Sequence, residues 1–297
     1  MPSLPLWSSS RYTVPLPAGH RFPIEKYALL REAVVADGFE IQEPPRARVE
    51  DLTLAHTPDY VARVTEGRLT SEELRRIGFP WSPHLVERSY RAVGGTVAAT
   101  GAALESGIAM NLAGGTHHAF REYGEGFCVF NDVAVAILTM LRDGRVRRAA
   151  VIDLDVHQGN GTHAIFAGDQ RVFTFSMHGR RNFPFNKVAG TLDVELEDGT
   201  ADDSYLACLG DALPRVLDES RADIAVYLAG ADTHENDRLG RLRLTFDGLA
   251  RRDALVLSSC RDIGLPIAIV IAGGYGREIR DTVRIHRETV RIASTFA

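Results

Sequence analysis

The chain has 297 residues, of which 45% are hydrophobic and 25% charged, proportions typical of a folded globular protein and not of a disordered one. Its formal net charge of -5 gives no general attraction to phosphate backbones or to anionic lipid surfaces, so nucleic-acid binding is not expected. No apolar run approaches the roughly 18 residues that a membrane-spanning helix needs, and membrane insertion is not expected either.

Cysteine usage favours a reducing compartment. The three cysteines are Cys128, Cys208 and Cys260, an odd number without the Cys-x-x-Cys spacing of a metal or redox motif. The amino terminus lacks the basic segment and apolar core of a secretory signal. We therefore expect a cytoplasmic protein. We also expect residues 1–297 to form a single domain, since α/β folds of roughly 250 residues often do.

Strand-like and helix-like segments alternate along the chain. Five short apolar runs without polar alternation predict strands buried on both faces, because only a sheet covered on both sides hides such runs. The alternation predicts an α/β fold with a mostly parallel central sheet and helices on both faces. In chain order, the predicted elements are a helix at 83–106, a strand at 107–112, a helix at 132–142, strands at 149–154 and 171–175, a helix at 203–217, a strand at 224–228, a helix at 246–263 and a strand at 267–271.

Polar or glycine-rich residues follow each predicted strand. In parallel sheets, ligands bind outside the carboxyl ends of the strands, so these endings are expected to converge on one crevice. The endings are GGTHH at 114–118, DVH at 155–157, SMH at 176–178, GAD at 230–232 and GGY at 273–275.

Two of these endings supply ligands for a metal ion. Asp155 and His157 are two residues apart, and such residues project to the same side of an extended backbone. Asp232 follows small residues that let its carboxylate approach an ion held by the neighbouring strand. Three protein ligands with one open position are the pattern of catalytic zinc. Two carboxylates and one imidazole also suit Fe²⁺ or Co²⁺.

The other endings supply groups that handle protons and charge. His117 and His118 follow two glycines that permit close approach of the backbone, and adjacent imidazoles can divide the roles of general base and general acid. Tyr275 follows another glycine pair and can donate its hydroxyl to the oxyanion of a tetrahedral intermediate. A metal that polarises a carbonyl and lowers the pKa of its water completes the set. These parts predict metal-assisted amide hydrolysis.

Each feature also has an ordinary structural interpretation when it is taken alone. Phe127 and Phe183 can form an apolar channel for a long side chain, or they can fold back onto the core. The Asp-x-His pair can be hydrogen-bonded scaffolding, and Asp232 can cap the segment that follows it. Asp153 can orient a catalytic histidine. The functional interpretation is favoured because all these motifs occur at the same type of position.

As a set, the motifs resemble the zinc-dependent histone deacetylase family. The resemblance runs over most of the chain in the right order and is carried by residues 114–118, 153–161, 230–232 and 273–275. The stretches DLDVHQGNGT at 153–162 and DRLG at 237–240 look most like the class IV branch and its bacterial relatives.

The resemblance implies an arginase/deacetylase-like fold and particular roles for residues of the site. It implies zinc on the three metal ligands, proton handling by the two histidines and polarisation of the acyl carbonyl by Tyr275. Phe127 and Phe183 would flank an acyl-lysine tunnel. Its wall would include Gly126 and Gly274. A structural K⁺ or Na⁺ site would draw, partly through backbone oxygens, on Asp153, Asp155, His157, Ser176 and Met177.

One position departs from the pattern of many deacetylases. Asn160 stands where they carry a second carboxylate, so one of the two histidines is expected to lack a charged partner and to be less basic. Asn is usual in the class IV pattern, and the change therefore indicates a branch of the family.

Several alternatives stay open at this point. The substrate is an acetyl- or longer acyl-lysine on a protein, or a small acylated amine such as an acetylated polyamine. No acidic cluster lies near the aromatic residues, which does not favour a polycation. An arginase-like ureohydrolase would need two Mn²⁺ ions, and carboxylates for a second ion are not evident. A non-catalytic acyl-lysine binding module would have lost a ligand, a histidine or the tyrosine, and none is lost. The oligomeric state is left open.

Overall fold

A computed structural model of the protein describes residues 4–297. The seven strands in that range form one parallel sheet in the order β1-β2-β7-β6-β3-β4-β5. The strands are β1 (Leu6–Trp7), β2 (Ile108–Asn111), β3 (Ala149–Asp153), β4 (Val172–Gly179), β5 (Leu192–Leu196), β6 (Ile224–Leu228) and β7 (Ile267–Val270).

Ten helices lie in the described part of the chain, and none of them combines the length and apolar character needed to cross a bilayer. The helices are α1 (Lys26–Ala36), α2 (Val49–Ala55), α3 (Pro58–Glu66), α4 (Ser71–Ile77), α5 (Pro83–Ser106), α6 (Asp132–Arg142), α7 (Asn160–Phe166), α8 (Asp202–Ser220), α9 (Phe246–Asp262) and α10 (Ile279–Ser294).

Helix α5 shows how local sequence sets the bounds of an element. The Ser82 hydroxyl accepts the N–H of Leu85, and Pro83 occupies the first turn, where its missing N–H leaves no bond unmade. Gly107 follows the last residue of the helix, and its φ of 85° is a backbone conformation that glycine adopts more readily than other residues. The predicted bounds 83–106 are confirmed.

The inner strands are buried along their whole length, as their continuous apolar sequence predicts. Every residue of β3, β6 and β7 is buried. Helices cover the sheet on both faces, with α5 packed on β2 and β7, and α8 packed on β3 and β4. The predicted fold class is thus confirmed.

The carboxyl ends of the central strands are level with one another. Val270 of β7 pairs with both Asn111 of β2 and Leu228 of β6. Asp153 of β3 pairs in turn with Leu228 and with Ser176 of β4. The loops that leave β2, β3, β6 and β7 therefore start at the same height, while β4 continues to Gly179. Side chains just beyond the four level ends can meet.

The elements that were not predicted are the edge strands β1 and β5, the four helices before residue 83, and helices α7 and α10. Strand β1 has only two residues, and β5 is half-buried with mixed polar and apolar residues. Neither presents the continuous apolar run of an inner strand. Strand β4 also extends beyond the predicted 171–175, through the SMH ending itself.

Candidate metal centre and active site

Three side chains from two loops converge at the carboxyl edge of the sheet. His157 Nδ1 lies 2.9 Å from Asp155 Oδ1 and 3.3 Å from Asp232 Oδ2. One ligand atom from each of the three residues lies within 4.8 Å of the others, and all three residues are buried. The predicted metal ligands therefore do come together in space.

The extended backbone predicted for residues 155–157 is wrong. Strand β3 ends at Asp153, and residues 155–157 form a bend and not an extended segment. The bend folds the His157 ring back onto the Asp155 carboxylate. Asp155 Oδ1 accepts the backbone N–H of His157 at 2.9 Å and lies 2.9 Å from His157 Nδ1.

The donor set fits a divalent cation. Asp232 Oδ2 is buried and accepts no hydrogen bond within residues 4–297. Burial and then the nearby Asp155 charge raise the pKa of Asp232 to about 7. Two carboxylates held together away from water favour a bound cation, and nitrogen and oxygen donors are ligands that zinc accepts.

Backbone groups hold these carboxylates in place. The Gly273 N–H donates to Asp155 Oδ2 at 2.7 Å, and the Val156 N–H donates to Asp232 Oδ1 at 3.0 Å. A Cβ at position 273 would lie 1.9 Å from Asp232 Oδ2, so this close approach requires glycine. The loop after β7 thus belongs to the centre without supplying a ligand.

The two histidines reach the centre from the loop after β2. Gly114 and Gly115 adopt φ values of 82° and 75°, which turn the chain sharply. Asp132, at the start of α6, accepts the N–H groups of Gly115 at 3.0 Å and Thr116 at 2.7 Å. Helix α6 therefore fixes the turn that carries the histidines.

His117 is paired directly with a carboxylate. Its Nδ1 lies 2.6 Å from Asp153 Oδ2, deep in the protein. Burial opposes the charged imidazole, but the carboxylates of Asp153 and Asp155 raise the pKa of His117 to about 9. The contact with Asp153 matches the orienting role predicted for that residue.

His118 has an amide partner instead. Its Nδ1 lies 2.7 Å from Asn160 Oδ1, and its ring centroid lies 4.1 Å from that of His117. Burial and then the neighbouring imidazoles lower the pKa of His118 well below its usual value. The two adjacent histidines are therefore driven toward opposite charge states.

Tyr275 lies in the loop after β7, and hydrogen bonds connect this loop to the loop after β6. Its backbone N–H donates to Asp237 Oδ2 at 2.6 Å, while Asp237 Oδ1 accepts the N–H groups of Leu239 and Gly240. Burial and then the charges of Asp155 and Asp232 raise the pKa of Tyr275 well above its usual value. The phenol stays protonated and able to donate a hydrogen bond.

An open cleft of about 530 Å³ leads from the surface to these groups. Gly126, Phe127 and Phe183 line it, as predicted for the channel. A Cβ at Gly126 would meet His118 at 2.7 Å and Phe183 at 3.2 Å. Gly274 lies elsewhere, against α10, and Gly273 lines the inner part of the site in its place.

The residues predicted for a monovalent cation lie together on β3, β4 and the bend. Asp153 pairs with Ser176, and Asp153 Oδ1 accepts the N–H of Asp155 at 3.1 Å. The Ser176 hydroxyl lies 2.9 Å from His178 Nδ1. Met177 is fully buried beside it. A K⁺ or Na⁺ ion at this place stays a prediction.

Two carboxylates of the site were not assigned a role from the sequence. Asp132 and Asp237 bind backbone N–H groups of the loops that carry His117 and Tyr275. The only sequence signal for Asp132 is the Asn-Asp pair that begins α6. Asp237 lies in the DRLG motif, which indicates the family resemblance but no role for this carboxylate.

The parallel sheet and the cluster at its carboxyl edge define a protein with the arginase/deacetylase-like fold. The chain matches the family model described as "Histone deacetylase domain" over residues 20–290. It is 48% identical, over 93% of both chains, to an uncharacterised protein of Picosynechococcus. It is 33% identical to histone deacetylase 2 of Arabidopsis thaliana, over 89% of this chain and 73% of that one. The chain belongs to the histone deacetylase family.

Solved structures share the fold. A histone deacetylase homologue complexed with SAHA has a TM-score of 0.85 and 25% identity, over 98% of this chain and 84% of that one. An acetylpolyamine aminohydrolase from Burkholderia pseudomallei has a TM-score of 0.84 and 22% identity, over 99% of both chains. The latter likeness shows the fold alone.

Proposed function

We propose that this protein is a zinc-dependent deacylase that hydrolyses the N-acyl amide of an acetyl- or longer acyl-lysine. The observation that carries the proposal is the buried cluster of Asp155, His157 and Asp232 beside two histidines of opposite charge preference. Family membership supports amide deacylation as the reaction.

Asp155, His157 and Asp232 would hold the ion, with Fe²⁺ or Co²⁺ as chemically acceptable substitutes for Zn²⁺. A bound zinc would act as a Lewis acid on the acyl carbonyl and lower the pKa of a water molecule. Asp232 Oδ2 accepts no hydrogen bond from the described residues, so a bound cation would compensate for the burial of this oxygen.

The histidines divide the proton chemistry. His118 is neutral near pH 7 and takes the proton of the attacking water, then returns it to the leaving amine nitrogen. His117 is kept charged by Asp153 and stabilises the negative charge of the intermediate. Tyr275 donates its hydroxyl to the oxyanion.

The cleft would hold the acyl-lysine side chain. Phe127 and Phe183 line its apolar part, and Gly126 leaves open the space beside Phe183 and His118. The outer wall carries a set of four arginine side chains, which are Arg21, Arg76, Arg181 and Arg241.

The main alternative is hydrolysis of a small acylated amine, since one structural neighbour is named an acetylpolyamine aminohydrolase. A polyamine keeps positive charges beyond the acetyl group, and these would face the arginines of the outer cleft. The charge of the cleft therefore favours a peptide substrate. A non-catalytic acyl-lysine binding module is the second alternative. Placement in the class IV branch stays a prediction.

The test is hydrolysis of a lysine-peptide panel carrying acetyl, butyryl, octanoyl and myristoyl groups, together with acetylated spermidine. We expect the zinc-loaded protein to cleave at least one peptide and a chelator to abolish cleavage, while the preferred chain length would define the pocket. Cleavage of the polyamine alone would support the first alternative. Peptide binding without cleavage, at one zinc per chain, would leave only a binding module.

A further inference from the structure

Asn160 lies between His118 and a second acidic side chain. Asn160 Oδ1 is 2.7 Å from His118 Nδ1, and Asn160 Nδ2 donates to Glu125 Oε1 at 2.6 Å. Asn160 and His118 are buried, whereas Glu125 is half-buried on the wall of the cleft. In many family members a carboxylate contacts this histidine directly. Here the Asn160 amide lies between His118 and the carboxylate of Glu125.

Glu125 determines which groups donate and which accept in the hydrogen-bonded series Glu125–Asn160–His118. A carboxylate only accepts hydrogen bonds, so the amide of Asn160 must turn its NH₂ group toward Glu125. The amide oxygen then faces His118, and an oxygen can only accept. His118 must therefore carry its proton on Nδ1, which leaves a lone pair on Nε2.

Glu125 is itself held by the backbone around it. The next two residues, Gly126 and Phe127, adopt φ values of 57° and 64°. Their N–H groups donate to the carbonyls of Arg76 and Ile77, at 3.1 Å and 2.7 Å. The segment that carries Glu125 is thus anchored to the last two residues of helix α4.

We infer that Glu125 is a positioning residue, which fixes the orientation of the Asn160 amide and, through it, the tautomer of His118. This inference rests on the proposed function, because the lone pair on His118 Nε2 matters for catalysis only if His118 accepts a proton. Glu125 itself lies outside the group of residues that would contact the reacting atoms.

The experiment replaces Glu125 and reads the tautomer directly. In Glu125→Gln, the new amide can donate as well as accept, so the Asn160 amide is free to turn over. The ¹⁵N spectrum of labelled histidine should show His118 Nδ1 as the protonated nitrogen in the parent, and a mixture of tautomers in the variant. We expect kcat to fall about 10-fold with little change in KM. Glu122→Gln, an exposed change in the same loop, is the matched control.

A second variant, Asn160→Asp, serves as a background that distinguishes this positioning role of Glu125 from a purely structural one. In Asn160→Asp, both oxygens of the new side chain accept, and the amide orientation no longer exists. Two carboxylates would then stand at the 2.6 Å contact and repel each other. Glu125→Gln should therefore restore activity in this background, although it lowers activity in the parent.

Two results would overturn the inference. One is an unchanged His118 tautomer in Glu125→Gln, whatever happens to the rate. The other is an equal loss of kcat in the parent and in the Asn160→Asp background. The tautomer is read without turnover, in protein with or without zinc. Failure of the proposed function, seen as no cleavage of any substrate, would thus remain distinct from failure of this inference.

Discussion

At the residue scale, the position of Tyr275 is decided by its backbone. Asp237 accepts the Tyr275 N–H at 2.6 Å. The centroid of the Tyr275 ring lies 5.8 Å from that of Phe127 and 6.4 Å from that of Phe22. These contacts use the main chain and the ring face. The phenolic oxygen takes part in none of these contacts, so the structural contribution of Tyr275 is separate from its proposed chemical role.

Tyr275→Phe should therefore lose rate without losing structure. Removal of one donor to an oxyanion typically costs a factor of about 10²–10³ in kcat. We expect a loss of that size, with zinc content per chain and the urea midpoint of unfolding unchanged. The measurement is kcat on the best substrate of the acyl-lysine panel, alongside metal analysis of the same sample. Turnover equal to that of the parent would remove Tyr275 from the mechanism.

The residues that carry chemistry could be predicted because their types are rare at the ends of buried strands. Asp155, His157 and Asp232 were identified in this way, and they do form one cluster. Their supports could not be predicted, since Asp132 and Asp237 act on backbone N–H groups 16 and 38 residues away along the chain. Hydrogen bonds of this kind follow from the packing of loops, which leaves no periodic signal in the sequence.

At the element scale, His56 joins the end of α2 to the loop before α6. His56 Nδ1 donates to the Phe120 carbonyl at 2.8 Å, and Nε2 accepts the Asn131 N–H at 2.9 Å. A second proton on the ring would place an N–H against that of Asn131. Burial lowers the pKa of His56 to about 4, and the hydrogen bond to Phe120 opposes the shift only in part.

The depressed pKa of His56 makes stability depend on pH in a defined window. The unfolded chain binds a proton to this imidazole below about pH 6.5, while the folded chain binds it only near pH 4. The contribution of neutral His56 to the free energy of unfolding is therefore fully present above pH 6.5 and is lost as the pH falls toward 4. Over that window it amounts to about 3 kcal/mol in the free energy of unfolding.

The check is a pair of urea titrations, at pH 7 and pH 4.5, for the parent and for His56→Gln. The variant should begin less stable at pH 7, because its amide does not reproduce the ring geometry. Its free energy of unfolding should then fall by about 2–3 kcal/mol less than that of the parent on acidification. Equal falls would show that His56 does not titrate with unfolding.

Strands were predictable where an apolar run is continuous, whereas the short elements β1 and α7 were missed although nearly all their residues are buried. All five inner-strand predictions correspond to observed strands because β2, β3, β4, β6 and β7 are continuous apolar runs. Helix α3 was missed although Thr57 caps it, Pro58 begins it and Gly67 ends it with a φ of 72°. These end signals are single residues, and a helix of nine residues offers only about two and a half turns of periodic pattern between them.

At the scale of the whole molecule, charge is distributed unevenly. The chain carries a net charge of -5, yet the outer cleft is lined by four arginines. Arg181 and Arg241 share a single carboxylate, Asp198, at 4.0 Å and 3.1 Å. Phe185 stands beside them with 82% of its surface exposed. The mouth of the site is therefore basic and partly apolar, while the rest of the molecule is acidic overall.

This distribution predicts a preference for acyl-lysine in an acidic sequence. Two peptides with the same acyl-lysine, flanked by Asp and Glu in one and by Arg in the other, should differ mainly in KM. Each exposed ion pair contributes about 0.2–1 kcal/mol, so we expect a KM about 5-fold lower for the acidic peptide at low salt. Because salt screens such pairs, the difference should shrink as ionic strength rises toward 1 M.

The double variant Arg21→Gln with Arg181→Gln should remove most of this preference and leave kcat nearly unchanged, since neither residue takes part in the proposed metal binding or proton transfer and Arg181 pairs with Asp198. Arg147→Gln is the matched control: it removes one exposed guanidinium just before β3, at the opposite edge of the sheet. A preference that survives in the double variant, or that does not respond to salt, would mean that the arginines of the outer cleft do not select the substrate. In that case the acyl group and the apolar wall alone would determine specificity.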